Sequence, residues 1–137
     1  MPDSAQVPAP IAPKVAWKDT PDEHDYPAAI NYLNLLCPDA EAKDLADKLS
    51  KAELMTFKAK DILRSTRLPL LPLEDPAVMR DLAKVNLGID LSPVLLIRGD
   101  INKGIPATVA DGYHRVCASY HLSENTDIPA RIIDLQQ

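Results

Sequence analysis

The residues best suited to chemistry stand together at Asp111-Gly112-Tyr113-His114-Arg115. Asp111 supplies a carboxylate that can accept a proton or help hold a metal. His114 supplies an imidazole that can donate or accept a hydrogen bond. Arg115 carries a planar fork suited to phosphate oxygens, and Gly112 lets the backbone turn sharply and a ligand approach closely. A segment that reads as a short strand, Ala107 to Ala110, precedes the group. Tyr113, Val116, Cys117 and Tyr120 follow at helical spacing. The pattern predicts a strand, a tight turn and a helix. The first turn of a helix presents N–H groups without intrahelical partners at the positive end of the dipole, which suits anions. Gly112, Tyr113, His114 and Arg115 are therefore the candidate ligand-binding residues, and Asp111 and His114 the candidate catalytic pair. An Asp-Gly pair before a helix also serves as a plain turn and cap, with His and Arg solvated. Spacing alone leaves both readings open.

The elements that must position this corner can be read from the flanking sequence. Pro93 to Ile97 is a short, continuously apolar run, which predicts a buried central strand. Asp75-Pro76 predicts a helix start, with Asp75 as cap and Pro76 as first residue. Val78, Leu82 and Val85 then form its buried face, and Gly88 ends it. Leu54 to Phe57 predicts a short strand, Asp61 to Leu63 a helical turn, and Arg67 to Leu73 an extended ordered loop. Asp127 to Ile133 predicts a final strand. Upstream, Pro27 opens a helix with Ala29, Ile30, Leu33, Leu36 and Cys37 on one face, stopped by Pro38. Asp39 is expected to cap a second helix buried through Ala42, Leu45, Ala46 and Leu49. Six of the thirteen prolines lie between Pro2 and Pro27, so residues 1–25 read as a flexible tail. Within that tail, Trp17 is expected to dock on its own domain. The resulting organisation is a tail (1–25), a helical hairpin (26–52) and an α+β domain (53–137), the last two forming one folded unit.

Composition narrows the function classes. The 137 residues suffice for one domain with one core. The formal net charge of −5 argues against general nucleic-acid binding. The one basic stretch, Lys58, Lys60, Arg64 and Arg67, is diluted by Asp61. Cys37 and Cys117 both lie in apolar helical patterns, which predicts free thiols and a reducing compartment. No apolar run reaches spanning length and no secretory pattern opens the chain, so the expected location is the cytoplasm, with no membrane partner. No protein-held metal cluster is read from the residue spacing.

The segment Val109-Ala110-Asp111-Gly112-Tyr113-His114-Arg115-Val116-Cys117-Ala118-Ser119-Tyr120 resembles the signature of the ParB/sulfiredoxin superfamily. In that pattern a strand delivers a D/G-G-x-H-R type motif to a helix start. Ile128-Pro129-Ala130-Arg131-Ile132 and Pro93-Val94-Leu95-Leu96-Ile97 resemble the strands after and before it. The resemblance covers roughly residues 54–134. It implies a ParB/sulfiredoxin-like fold, with a small mixed sheet flanked by helices. Sulfiredoxin-like members use a motif cysteine where this chain has Tyr113, so that chemistry is not expected. ParB proteins carry Glu and Arg where this chain has Tyr113 and His114, together with a helix-turn-helix domain not seen here. The free-serine kinases of archaea, which transfer phosphate from a nucleotide, are more similar at Asp-Gly-x-His-Arg.

Three readings follow. The first is a nucleotide- or phosphate-binding protein, with Mg2+ as the accompanying ion and phosphotransfer as an extension. The second is a non-catalytic interaction module using the tail and the hairpin as partner surfaces. The third is a DNA-associated module acting through Lys58 to Arg67. The first reading expects Arg115 to be exposed in the free protein, so that its removal costs folding no more than about 1 kcal/mol.

Overall fold

The computed structural model describes residues 14–135. The predicted tail before residue 14 lies outside the described residues. The described residues form five α-helices and four strands, in the order α1 (Asp25–Leu33), α2 (Asp39–Lys51), β1 (Leu54–Lys58), α3 (Ala59–Thr66), α4 (Pro76–Asn86), β2 (Val94–Ile97), β3 (Thr108–Asp111), α5 (Tyr113–Leu122) and β4 (Asp127–Ile133). A single turn of 3-10 helix, Ile101–Lys103, sits between β2 and β3. The strands form one mixed sheet in the order β1-β4-β2-β3. β4 runs parallel to β2, and both outer pairings are antiparallel. The class is α+β, as the residue patterns predict.

The continuous apolar run of β2 has a direct cause: both faces of the sheet are covered. Val94 and Leu96 point to one side, where they meet Ile62 and Leu63 of α3, Val78 of α4 and Val116 and Cys117 of α5. Leu95 and Ile97 point to the other side, onto Ala29 and Leu33 of α1 and Leu45 and Leu49 of α2. All four β2 side chains are buried. Side chains on a strand alternate between faces, so a strand covered on both must be apolar throughout.

Local signals set both ends of α4. Asp75 accepts from the N–H groups of Ala77 and Val78 at 3.0 and 3.1 Å, with Pro76 at the first helical position of α4. Gly88 takes a positive φ just past that helix. α3 is longer than the predicted turn, because Ala59, Ile62, Leu63 and Thr66 repeat at helical spacing and all are buried. Two expectations are corrected. Asp39 is not the cap of α2 but its first residue, and its carboxylate binds Lys43 and the Asn34 amide instead. Leu36 does not share the buried face of α1. That helix ends at Leu33 so that the chain can reverse before Pro38, and the turn leaves Leu36 exposed.

The segment from residue 14 to His24 has no helix or strand of its own, yet it is tied to the domain. Lys18 donates to the Leu91 carbonyl and Leu91 donates to the Ala16 carbonyl, each at 2.8 Å. Trp17 packs on the core beneath α3, α4 and α5. α1 then begins at Asp25, two residues before the predicted Pro27.

Gly112, between β3 and α5, has φ +112, and a Cβ there would lie 2.5 Å from Val94 Cγ1 and 2.8 Å from an Arg115 guanidinium nitrogen. At Gly88, also at positive φ, a Cβ would meet nothing within 4 Å. Gly88→Ala should therefore cost about 1 kcal/mol, the backbone penalty alone. Gly112→Ala should cost about 2–4 kcal/mol, because overpacking against Val94 adds to it. Urea unfolding of the two variants checks this, and equal costs would show that Val94 moves aside freely.

Candidate functional site

The strand end that carries Asp111 is not regular. Opposite β2, Leu96 faces Val109 and Leu95 faces Asp111, so β3 holds one extra residue at Ala110. Such a bulge re-aims the side chains that follow it. Asp111 then accepts from the Arg115 guanidinium at 2.7 Å. The other arm of Arg115 donates to Asp25 Oδ2 at 3.3 Å. Asp25 is the first residue of α1 and is 3% exposed. Its Oδ2 also accepts from the backbone N–H of Asp22 at 3.2 Å and, in a short bond, from the hydroxyl of Ser92. The Ser92 oxygen in turn accepts from Asp22 N–H at 2.9 Å. Three distant parts of the chain thus meet in one network, in which Arg115 binds Asp25 and Asp111 and Ser92 binds Asp25.

This arrangement overturns the expectation of an exposed Arg115. Its side chain is only 13% exposed and engaged by two carboxylates. The Gly112 expectation changes as well. Val94 and Arg115, rather than open space for a ligand, lie where its side chain would be. The Tyr113 ring packs on the core and its hydroxyl donates to the Pro69 carbonyl, so the side chain holds the loop before α4. His121, two turns along α5, lies 2.7 Å from the Leu71 carbonyl and secures the same loop. His114 faces solvent from the first turn of α5, 4.0 Å from Asp75.

A cleft of about 460 Å³ opens over this network. Asp25, Ser92, Asp111, Gly112 and Arg115 line it from below. Lys18 and His24 come from the N-terminal segment, Arg80, Asp81 and Lys84 from α4, and His114 from α5. The sequence reading brought forward Asp111, Gly112, His114 and Arg115 of this set and missed the rest. Arg80 and Lys84 sit four residues apart on α4, a spacing shared by any solvated helix face. Asp25 fell within the stretch taken as tail.

The charges of the cleft are unevenly matched. Burial pushes the Asp111 carboxyl up to about 6 and the nearby Asp25 charge adds to the rise, while Arg115 opposes it. One guanidinium does not offset two partly buried carboxylates. Burial also raises Asp81, against Arg115, Lys84, His114 and Arg80. Asp22 is lowered, first by its hydrogen bond from Lys18. Asp22, His24 and Asp25 bring ligand atoms within 4.8 Å of one another. An imidazole beside two carboxylates suits Mn2+ or Zn2+ better than Mg2+, which favours oxygen alone.

Cys117 is fully buried and burial raises its thiol, so nothing favours a reactive thiolate beside the motif. In the basic stretch, Lys58 pairs with Asp127 at 2.7 Å and Arg64 with Asp61 at 3.5 Å. No described helix is long and apolar enough to cross a membrane. No family model, no curated protein and no solved structure matches the chain.

Two outcomes follow from the Asp25–Arg115–Asp111 linkage. Arg115→Ala should cost about 3–5 kcal/mol of stability, because it strands the buried Asp25 carboxylate. Asp111 is raised in the folded state, so the native protein binds the extra proton between the unfolded value of 3.8 and about 6. Stability from this group therefore falls as pH rises through that window and is level above it. Asp111→Asn removes the titration. Relative to wild type, this variant should gain roughly 2–3 kcal/mol between pH 4 and pH 7 in urea unfolding. A constant difference across that range would show that Asp111 titrates as a solvated carboxyl.

Proposed function

We propose that this chain is a ParB/sulfiredoxin-like protein that binds a nucleotide or another phosphate ligand in the cleft at the start of α5. The observation that carries the reading is the convergence of Lys18, Arg80, Lys84 and His114 around that cleft. They come from three separate segments of a chain whose net charge is −5. Five aspartates line the same cleft and Lys18 pairs with Asp22, so the draw on an anion rests on Arg80 and Lys84, whose side chains make no ion pair among the described residues. The motif's position at a strand-to-helix junction of a small mixed sheet supports the family reading.

In this reading the first-turn amides of α5 and the His114 imidazole bind phosphate oxygens. Arg80 and Lys84 reach the same group from α4. Arg115 is a positioning residue that fixes Asp111 and Asp25. Asp111, with its carboxyl near 6, is the proton acceptor for a hydroxyl brought beside the phosphate. That step extends the reading to phosphotransfer: the hydroxyl oxygen attacks the terminal phosphorus, its proton passes to Asp111, and the shortened nucleotide leaves. Asp22, His24 and Asp25 would hold a divalent ion, which supplies charge neutralisation for the phosphates.

A second reading has its own observation. Leu35 and Leu36, at the turn between α1 and α2, are 82% and 60% exposed, as a protein-interaction surface would be. The DNA-associated reading is weaker, since acidic partners already pair with Lys58 and Arg64.

A panel of nucleotides, with and without Mg2+ or Mn2+, separates these by thermal shift. A ligand at a hundred times its Kd stabilises the native state by about 2.7 kcal/mol, a rise of several degrees. Replacing both Arg80 and Lys84 by Ala should leave the free protein's Tm nearly unchanged, since both side chains are exposed. The same change should weaken nucleotide binding at least tenfold. If no nucleotide raises the Tm under any of these conditions, the phosphate reading fails and the interaction module takes its place.

A further inference from the structure

A second cavity, of about 590 Å³, lies along α3 from Phe57 at the end of β1 to Arg67, between that helix, the sheet and the loop joining β2 to β3. Its floor is apolar: Phe57, Ile62, Leu96 and Ile132. Neither the chemistry of the first cleft nor the packing of the core uses this space.

The wall of the cavity is built in advance. Asp100 and Ile105 exchange two backbone hydrogen bonds, at 2.9 and 3.0 Å, across the loop. The Asp100 side chain caps the 3-10 turn through Asn102 N–H, and Gly104 closes the turn at positive φ. A Cβ on Gly99 would stand 2.1 Å from the Ile105 carbonyl oxygen, so backbone lies directly on backbone. Ala107 donates to the Ser65 carbonyl at 3.0 Å, which fastens the loop to α3. A loop held at so many points keeps its shape without a ligand.

Two features of the rim then point to an occupant. Ile101 lines the cavity and is 95% exposed, a large apolar side chain held out at the mouth by a fixed turn. Around the same mouth stand Arg64, Arg67 and Arg98. Arg98 pairs with Asp134 and Arg64 with Asp61, but no hydrogen bond or ion pair engages the Arg67 side chain among the described residues. Arg67 is also the only non-glycine described residue at positive φ, where it ends α3 in a place that glycine would fill without strain. Strained backbone of this kind gathers at binding sites.

We propose that this cavity binds a small amphipathic carboxylate, with an acyl-chain body on the Phe57–Leu96–Ile132 floor and its carboxylate at Arg67. The volume lies in the range of small-molecule pockets. An apolar body would cover Ile101 and Ile105, and the guanidinium fork matches a carboxylate in two parallel hydrogen bonds. Arg67, whose charge no carboxylate among the described residues offsets, selects an anion over a cation of the same length.

Decanoate, below its micelle concentration, is the probe, with decyltrimethylammonium as the cationic match. Binding is read by calorimetry and by methyl chemical shifts of the full chain. Decanoate should bind saturably and move the methyls of Ile62, Leu96, Ile101, Ile105 and Ile132, and it should bind at least tenfold more tightly than the cation. Arg67→Gly keeps the backbone conformation and relieves its strain, so it should fold as well as wild type yet bind at least fivefold more weakly. Ile101→Asp, at an exposed position, should lower affinity at least tenfold. Equal binding of the cation, shifts confined to other residues, or no saturable binding would overturn the assignment. So would a concentration-dependent dimer that Ile101→Asp abolishes, since the mouth would then belong to a second copy of the chain.

Discussion

Arg115 holds two carboxylates that would otherwise repel one another, and much of the architecture is arranged to keep it there. Asp25 reaches it from α1, on one side of the sheet, and Asp111 from the end of β3. Ser92 and the Asp22 amide complete the donors on Asp25. A buried ion pair gains little over an apolar packing of similar shape, but removing one partner is severe. The linkage therefore acts as a constraint on assembly more than as a source of stability. It requires that α1, the N-terminal segment, β3 and α5 come together in one arrangement.

The surrounding fold serves the same constraint. Gly112 is where the chain must pass over Val94 closely enough to bring Arg115 back beneath Asp111. The extra residue in β3 turns the strand end toward the cleft. Tyr113 and His121 tie the proline-broken loop to α5, and that loop leads straight to the Asp75 cap of α4. α4 thereby carries Arg80 and Lys84 to the cleft rim. A rim of mixed charge over an under-neutralised carboxylate floor is the electrostatic outcome.

What could be read in the sequence was what local forces decide. The buried β2 run, the Asp75-Pro76 start, the Gly88 stop and the Asp111–Arg115 junction all follow from neighbours within a few residues. α3 also carries helical spacing, at Ala59, Ile62, Leu63 and Thr66, and runs longer than the turn expected over Asp61–Leu63. The missing half of the site was of another kind. Nothing near Asp25 distinguishes it from the other acids of a proline-rich segment. Its role is set by a guanidinium 90 residues away. Arg80 and Lys84 look like an ordinary solvated face until α4 is laid beside the start of α5. Arg115 was misjudged for the same reason: a first-turn arginine is exposed unless a distant segment covers it.

That 90-residue separation has a consequence for how the chain is made. Synthesis runs from the N-terminus, so Asp22 and Asp25 emerge long before their cation exists. Until α5 has been added, docking α1 on its final surface would bury a carboxylate without its guanidinium, which water resists. The helical hairpin must therefore wait, hydrated at its leading end, while β2, β3 and α5 follow. Closing so long a loop is entropically slow. The cleft is thus among the last parts of the molecule to take shape, and a nascent chain that ends before Arg115 has no means of forming it.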